Sequence, residues 1–274
     1  MVDSHTPDSG ASVVPGADAE FPRSLDGRRV RADDARRFAD LLRRQVHDGV
    51  FVDGALPSET KLAAEFHVSR NAVREGLDIL RAENLIVRAP KVGTRVSGRR
   101  FEHGLDALVG LKETLRDYGT VRNEVRVVTE IEPPPTVARR LELDPGAPVV
   151  YIERVRYLGD LPLSLDLTYL VPDIGSQVAK RDLVHNDIFA LIETVAGEPL
   201  GSASVAVEAV SADAHSAANL HAPEGAALLL LERLTRLESG RPVDLEYIRM
   251  RGDRMTLRGN LSRDSGAFPE WKVQ

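Results

Sequence analysis

The sequence predicts an α+β protein with two domains, a small helical domain that ends in a β-hairpin and a larger domain built on an antiparallel sheet. At 274 residues the chain is longer than one typical domain. Residues 33–97 show apolar residues at helical spacing and then two short β-prone runs. Residues 105–262 carry seven β-prone runs separated by short helical patterns, which favours an antiparallel sheet with helices on one side.

Two helices are predicted at the start of the first domain. Asp34 is placed to cap the first, whose apolar stripe comprises Phe38, Leu41, Leu42 and Val46. Ser58 precedes Glu59 and is placed to cap the second, whose apolar positions are Leu62, Ala63 and Phe66.

The third helix carries the most informative side chains. Ser69 is placed to cap it, and one face is an apolar stripe of Val73, Leu77 and Leu80. The other face begins with Arg70, Asn71 and Arg74. Two capped helices in close succession, the second beginning with long hydrogen-bond donors, are typical of a helix-turn-helix that enters the DNA major groove. There Arg pairs well with guanine and Asn with adenine.

A hairpin is predicted after the third helix, because β-prone runs at 85–87 and 94–96 flank a turn-rich segment. Such a hairpin is a wing, in which Arg88, Lys91 and Arg95 are placed to reach phosphates or the minor groove. Residues 35–100 hold 13 Lys and Arg against 8 Asp and Glu, in a chain of net charge −6. A basic module on an acidic body fits nucleic-acid binding better than a merely solvated basic helix.

The segments Leu56-Pro57-Ser58-Glu59, Val68-Ser69-Arg70, Val73-Arg74 and Gly93-Thr94 together resemble the winged helix-turn-helix of GntR-family transcription regulators. The resemblance implies a regulator, and specifically a repressor, that binds double-stranded DNA. With Ser69 and Arg88 included, the predicted DNA contacts are Ser58, Glu59, Ser69, Arg70, Asn71, Arg74, Arg88, Lys91, Gly93 and Thr94.

The chain departs from the usual family pattern at four positions in the turn, the third helix and the wing. His67 stands where Gly is usual, Asn71 replaces Thr, Lys91 replaces Gly, and Arg95 replaces an aromatic residue. If His67 takes the left-handed conformation of that glycine, the strain is modest, because His tolerates it better than most residues. Asn71 and Lys91 bear on which operator is read.

The larger domain is predicted to start with a helix after a linker at 98–104, because Leu105, Leu108, Leu111 and Leu115 recur at helical spacing. The β-prone runs are Val125–Ile131, Val149–Leu158, Leu161–Leu170, Ser202–Val210, Leu228–Leu237, Val243–Met250 and Arg254–Leu261. Further helical patterns are Thr136–Leu141, Ser176–Lys180, Ile188–Ala196 and Asp213–Leu220.

Alternation along the strands places several polar residues on one face. Arg154 and Arg156 share a face, and Asp244 shares one with Met250. The predicted strand Leu161–Leu170 has two faces. Its core face comprises Leu161, Leu163, Leu165 and Leu167, and its polar face comprises Ser164, Asp166 and Thr168. If the polar faces converge, they form a pocket for a small polar anion; the alternative is an ordinary solvent-exposed face.

The Glu153–Tyr157 and Pro162–Tyr169 segments, with Gly240–Asp244 and Arg251–Arg254, look like the effector-binding domain of the HutC subfamily, the UTRA domain, whose fold is similar to chorismate lyase. The resemblance spans residues 105–261. It implies an N-terminal winged helix-turn-helix joined to an antiparallel-sheet UTRA (chorismate lyase-like) domain.

The same resemblance implies roles for individual residues. Arg154 and Arg156 would hold an anionic group of the effector, and hydroxyls of the effector would contact Asp166, Thr168 and Asp244. Met250 takes a place that is usually aromatic. Gly110 aligns with a Ser or Thr that helps hold phosphate, which leaves room for a carboxylate, an amino-acid derivative or a larger metabolite.

We expect a homodimer, joined through the sheet domains, that binds an inverted-repeat operator under the control of a small anionic effector. Two alternatives stay open at this stage. The larger domain is a dimerisation platform without a ligand, or the protein is an enzyme resembling chorismate lyase. The enzyme is disfavoured because no nucleophile, base and orienting group stand out by spacing and because fold likeness does not carry function.

Composition restricts the remaining function classes. The chain has no cysteine, and its seven histidines are scattered, with His215 and His221 six apart, so we expect no metal site and no cofactor. The longest apolar block, 226–231, is too short to span a bilayer, and no basic-then-apolar leader is present, so a cytoplasmic protein is expected. Residues 1–32 read as a disordered tail and 263–274 as a C-terminal tail.

Overall fold

The structure is a computed structural model that describes residues 27–89, 93–97 and 100–261, with side chains from residue 32 onward in these ranges. The first domain contains α1 (Gly27–His47), α2 (Glu59–Glu65), α3 (Arg70–Ala82), β1 (Ile86–Ala89) and β2 (Gly93–Val96). Strands β1 and β2 pair antiparallel, with Ile86 opposite Val96, and form the predicted hairpin.

The close crossing of α1 and α3 depends on Gly76. A Cβ at this position would lie 2.4 Å from Cδ1 of Phe38 and 2.8 Å from the carbonyl oxygen of Ala35. The Phe38 ring also meets the Phe66 ring edge to face, with centroids 5.0 Å apart. The buried core of this domain is Phe38, Ala39, Leu42, Leu62, Val73, Leu77, Leu80, Leu85 and Ile86. The predicted apolar stripes of α2 and α3 therefore close on one side of α1.

Helix α1 differs from its prediction in two ways. It begins at Gly27, so Asp34 lies inside the helix and is not its cap; its carboxylate accepts a hydrogen bond from Arg37 at 2.7 Å instead. Leu41 is 52% exposed, because the buried face of the helix runs through Ala35, Phe38, Ala39 and Leu42. Residues 27–32 of the predicted N-terminal tail are helical, whereas the rest of both predicted tails lies outside the described residues.

The second domain is built on a six-stranded antiparallel sheet. Its elements are β3 (Phe101–Gly104), α4 (Leu111–Thr114), β4 (Val121–Ile131), α5 (Pro135–Arg140), β5 (Val149–Leu158), β6 (Leu161–Leu170), α6 (Pro172–Val178), α7 (Ile188–Ala196), β7 (Leu200–Ser211), α8 (Ala214–Leu220), β8 (Ala227–Leu237), β9 (Pro242–Arg251) and β10 (Met255–Arg258). The large sheet has the order β4-β5-β6-β9-β8-β7, and every pair is antiparallel. The predicted α+β class is confirmed.

Helices cover both faces of this sheet, so the prediction of helices on one side is wrong. Helix α8 packs against Leu165 of β6. Helix α7 lies in the cluster that contains Ile152 and Leu170. Because Leu165 and Leu170 differ in parity along one strand, they point to opposite faces. The face of β6 with Ser164, Asp166 and Thr168 is buried, so it is not the solvent-exposed face that the sequence left as the alternative to a pocket.

The segment that joins the two domains is more ordered than predicted. Residues 101–104 of the predicted linker form β3, which pairs in parallel with β10 near the end of the chain. The helix expected from Leu105 to Leu115 is reduced to the single turn of α4, with Gly110 at its start. Asp106 accepts hydrogen bonds from the backbone N–H (2.5 Å) and the side chain (2.9 Å) of Asn260, and so joins the start of the second domain to its end. No helix among the described residues combines the length and the apolar character needed to cross a membrane.

Candidate nucleic-acid interface and buried cation cluster

The N-terminal end of α3 presents long hydrogen-bond donors to solvent. The Ser69 side chain accepts a hydrogen bond from the backbone N–H of Ala72 at 3.1 Å and so begins the helix at the next residue. Arg70, Asn71 and Arg74 therefore stand on its first two turns, and all three are exposed. Within the described part of the chain Arg70 makes no ion pair. These donors are available to an external partner.

Helix α2 holds one of these donors in place. Nε of Arg74 donates to Oε2 of Glu59 at 2.8 Å, while the Arg74 side chain stays 64% exposed. This hydrogen bond and the charge of Glu59 raise the pKa of Arg74. Ser58 caps α2 by accepting from the backbone N–H of Lys61 at 3.4 Å. Glu59 thus positions a cation at the junction of the two helices.

The hairpin adds a second exposed basic position. Arg88 on β1 is exposed and lies opposite Thr94 on β2. Gly93 begins β2 with φ +100°, a conformation that favours glycine. Arg95 differs from the prediction, because it donates to the carbonyl oxygen of Asp53 at 2.5 Å and so braces the loop before α2. Lys91 lies outside the described residues.

His67 has φ +54°, so it takes the left-handed conformation expected of the glycine that it replaces. The next residue, Val68, donates its backbone N–H to the carbonyl oxygen of Ala63 at 3.1 Å. The turn between α2 and α3 is therefore formed without glycine.

Arg156 is the centre of a buried ion-pair cluster in the second domain. Its Nε and Nη2 donate to Oδ2 of Asp166 at 3.0 and 2.8 Å, and its Nη1 donates to Oδ1 of Asp187 at 2.5 Å. Burial alone would lower the pKa of Arg156, but the charges of the two carboxylates have the larger combined effect, so this pKa is raised. Burial raises the pKa of Asp166, yet Arg156 and Arg154 bring it below its usual value. This guanidinium and the Asp166 carboxylate are both charged.

A second ion pair lies beside the first. Arg233 donates to Oε2 of Glu246 from Nε at 3.1 Å and from Nη2 at 2.5 Å, and its guanidinium lies 4.3 Å from the ring centroid of Phe189. The Thr168 hydroxyl donates to Oε1 of the same glutamate at 3.2 Å. Thr168, predicted to bind an effector hydroxyl, therefore has an internal partner.

Arg154 and Asp244 are fully buried, and their charged atoms have no hydrogen-bond partner among the described residues. Burial and the neighbouring Arg156 lower the pKa of Arg154. Burial and the charge of Glu246 raise the pKa of Asp244 well above its usual value, although Thr235 and Arg154 lie close enough to oppose this rise. Burying polar groups without partners costs free energy, so packing alone does not explain why both residues are charged types.

Two cavities meet above Arg156. The outer cavity is open to solvent, has a volume of about 610 Å³ and is lined in part by Lys112, Arg116 and His185. The inner cavity holds only about 20 Å³ and is lined in part by His103 and Arg233. Residues Gly110, Asp187 and Phe189 line both cavities.

His103 is the neutral polar group of the inner cavity. Its Nδ1 lies 3.1 Å from the Thr114 hydroxyl. Burial, together with the positive charges of Arg233 and Arg156, lowers the pKa of His103 to about 4. At neutral pH this imidazole is therefore uncharged and offers one donor and one acceptor.

The structure brings together part of the predicted effector set. Of the predicted residues, Gly110, Arg156, Asp166 and Met250 line the inner cavity, whereas the buried residues Arg154, Thr168 and Asp244 do not. The sequence-based set lacked Asp187, Arg233 and His103. Arg233 was detectable only through its cross-strand pairing with Glu246, and His103 lies on a strand that was not predicted. Among the described residues no group of three or more His, Asp or Glu side chains is arranged to hold a metal ion.

Comparison with known proteins agrees with this architecture. The family of bacterial regulatory proteins named gntR matches residues 35–96, and the UTRA domain matches residues 118–256. The HTH-type transcriptional repressor NagR of Bacillus subtilis (strain 168) is 27% identical over 79% of this chain and 90% of its own length. The histidine utilization repressor of Pseudomonas putida is 28% identical over 76% of this chain and 83% of its own.

Solved structures show the same fold. PhnF from Mycobacterium smegmatis superposes with a TM-score of 0.59 at 22% identity, over 83% of this chain and 100% of PhnF. The UTRA match covers about half of the chain, and NagR and the histidine utilization repressor are both named as repressors. This chain is therefore a transcription regulator that belongs to the GntR family, with a GntR helix-turn-helix domain followed by a UTRA domain.

Proposed function

We propose that this regulator is a sequence-specific repressor whose affinity for its operator is controlled by a small anionic metabolite bound in the UTRA domain. The observation that carries the DNA-binding part is the exposed donor set at the N-terminal end of α3, Arg70, Asn71 and Arg74. The named relatives support repression, because both are called repressors.

The DNA contacts divide by chemistry. Arg70 and Asn71 stand on the first turn of α3, where side chains reach base edges in the major groove, and Arg74 is presented by Glu59. The remaining predicted contacts hold phosphates and set the register, and they are Ser58, Ser69, Arg88, Lys91, Gly93 and Thr94.

The effector site is the cation cluster below the outer cavity. Arg156 supplies the charge, Gly110 leaves room for the Asp187 carboxylate that Arg156 holds, and the 610 Å³ cavity takes the rest of the effector. Control of DNA binding needs an effector affinity that differs between two states of the protein, typically by about 1 to 3 kcal/mol. Charge-assisted bonds to a buried guanidinium are strong enough to supply a difference of this size.

Two copies of the chain are proposed to join through their sheets and to place two α3 helices on an inverted repeat. Strand β7 is the outermost strand at one end of the sheet, and Val205 and Val207 on it are each 45% exposed. An outer strand carries backbone N–H and C=O groups that are open to pairing with another chain. Because a twofold dimer matches a twofold operator, this edge suits the proposed assembly.

The proposal is tested with fragments selected from random DNA by the full chain. We expect the selected sequences to share an inverted repeat, and a screen of anionic metabolites to yield one that releases the repeat. The Arg156→Lys variant keeps the charge but loses the bidentate geometry, so it should bind the operator as the wild type does and need more metabolite for release.

Two results would contradict parts of this proposal. Selected fragments without any shared motif would remove sequence-specific reading. A stabilisation screen in which no anion raises the melting temperature would favour the alternative in which the UTRA domain is a dimerisation platform without a ligand.

A further inference from the structure

The Asp187 side chain occupies a position suited to an external anion. Its Oδ1 accepts from Nη1 of Arg156 at 2.5 Å, and its Oδ2 accepts from the backbone N–H of Lys112 at 3.1 Å. A Cβ on Gly110 would lie 2.2 Å from Oδ2, so only glycine leaves room for this carboxylate. One guanidinium, one backbone N–H and a bare glycine surround it, which is a recognition pattern for an oxyanion.

Arg156 is bound by two carboxylates that differ in how firmly they are held. Asp166 lies on β6, is 1% exposed and accepts a further hydrogen bond from the Ser164 hydroxyl at 2.6 Å. Asp187 precedes α7, and its side chain is 13% exposed. The second carboxylate is therefore the one that an incoming ligand can replace.

If its side chain rotates, Asp187 can instead accept hydrogen bonds from the backbone N–H groups at the start of α7. It is the N-cap residue of α7, with φ −70° and ψ 144°, yet its side chain makes no hydrogen bond to that helix. An Asp at this position normally accepts from the backbone N–H groups of the first turn, which have no partner inside the helix. Release from Arg156 therefore need not leave the carboxylate without donors.

Asp187 also lies between the two cavities. The outer, solvent-open cavity and the small inner one share it together with Gly110 and Phe189. Moving this carboxylate would join the inner space, where His103 and Arg233 are found, to the outer space. A ligand whose anionic group took its place would therefore reach further polar groups.

We propose that Asp187 is an internal stand-in for the anionic group of the effector. In the free protein it neutralises Arg156 and keeps the inner cavity closed. An effector anion displaces it from Arg156 and from the Lys112 N–H, and the carboxylate turns to cap α7. This inference rests on the proposed effector site and adds that Asp187 sets the affinity and the class of the ligand, because any anion must outcompete a tethered carboxylate.

The test is calorimetric titration of the full chain with inorganic phosphate and with acetate at constant ionic strength. Asp187→Asn removes the competing charge at nearly constant shape, so it should bind at least one of these anions roughly tenfold or more tightly than the wild type. Asp160→Asn makes the same charge change in the exposed turn between β5 and β6 and should alter the affinity less than about twofold. Adding Arg156→Gln to Asp187→Asn should abolish the gain.

Asp187→Ser is the second variant, because serine still caps a helix and carries no charge. Each variant is first checked for operator binding without added anion. Retained operator binding with no gain for either anion in both Asp187 variants would overturn the inference and leave the proposed DNA reading intact. A gain that survives the loss of Arg156 would overturn it as well. If the wild type itself does not bind an operator, that result would instead count against the proposed function.

Discussion

Buried charged residues define the chemistry of the UTRA domain. Arg156 and Arg233 are fully compensated by Asp166, Asp187 and Glu246, whereas Arg154 has no hydrogen-bond partner among the described residues. Replacing such a network by apolar residues is often neutral or stabilising, so its presence is weak evidence for a purely structural role. This agrees with the proposal that the cluster binds a polar ligand.

His103 makes the stability of this cluster depend on pH. Its pKa in the folded protein is lowered from 6.5 to about 4, because burial and two nearby arginines, Arg233 and Arg156, disfavour the charged imidazole, while Asp187 and Asp166 oppose them weakly. The unfolded chain binds the proton at higher pH than the folded chain does. The stabilising contribution is therefore complete above about pH 6.5 and is lost as the pH falls towards 4.

The His103→Gln variant keeps a hydrogen-bonding side chain but cannot titrate. The free energy of unfolding of the wild type, measured relative to this variant by urea denaturation, should decrease by about 3 kcal/mol between pH 7 and pH 4. His215→Gln is the control, because the His215 side chain is 60% exposed. An equal pH dependence of the wild type relative to both variants would show that burial of His103 is not the cause.

At the scale of elements, local patterns predicted some strands well and missed others for identifiable reasons. Strands β5 and β6 have the predicted bounds, because each is a continuous β-prone run and Gly159-Asp160 joins them in a tight turn. Strand β3 was missed, because its partner β10 lies more than 150 residues away and four residues carry too little pattern. Pairing between segments that are distant in sequence does not change the local spacing of apolar residues, so that spacing cannot predict it.

Strand β7 offers a direct test of how two copies assemble. Val207→Lys places a charge on the outermost strand, where it should oppose pairing with a second chain. We expect this variant to be monomeric by light scattering and to bind an inverted repeat more weakly than the wild type. Val128→Lys, on β4 at the opposite edge of the sheet and 39% exposed, is the matched control. Dimers of Val207→Lys as stable as those of the control would place the contact elsewhere.

At the scale of the whole molecule, the end of α3 is tied both to its own domain and to the connection between domains. Glu83, the C-cap of α3, accepts from Arg43 of α1 at 2.6 and 2.9 Å, and its carbonyl oxygen accepts from Arg100 at 3.5 Å. Arg100 precedes β3, the strand that carries His103 into the inner cavity. Helix α3 and the cation cluster are therefore connected through residues 100–103.

The two domains differed in how far the sequence alone could describe their sites. The residues proposed to contact DNA could be selected from the sequence because caps and long donors lie within one helix, where spacing is informative. The structure exposes Arg70, Asn71 and Arg74, and their contact with DNA stays a prediction. The cation cluster was predicted in part, because alternation along adjacent strands places Arg154, Arg156 and Asp166 on one face, where Asp166 lies opposite Arg154. Asp187 escaped detection, because in sequence it is only a helix cap, and its partner lies 31 residues away.

If the N-terminal end of α3 reads base edges, replacing Arg74 by alanine must weaken binding to the operator. Measured by gel retardation on the selected repeat, this variant should lose specific binding by about 1 to 3 kcal/mol per half-site contact, which amounts to roughly 5- to 150-fold. Arg44→Ala removes an equally exposed arginine of α1, paired with Asp48 at 3.0 Å, and should retain specific binding. Specific binding by Arg74→Ala equal to that of Arg44→Ala would show that Arg74 does not read the operator.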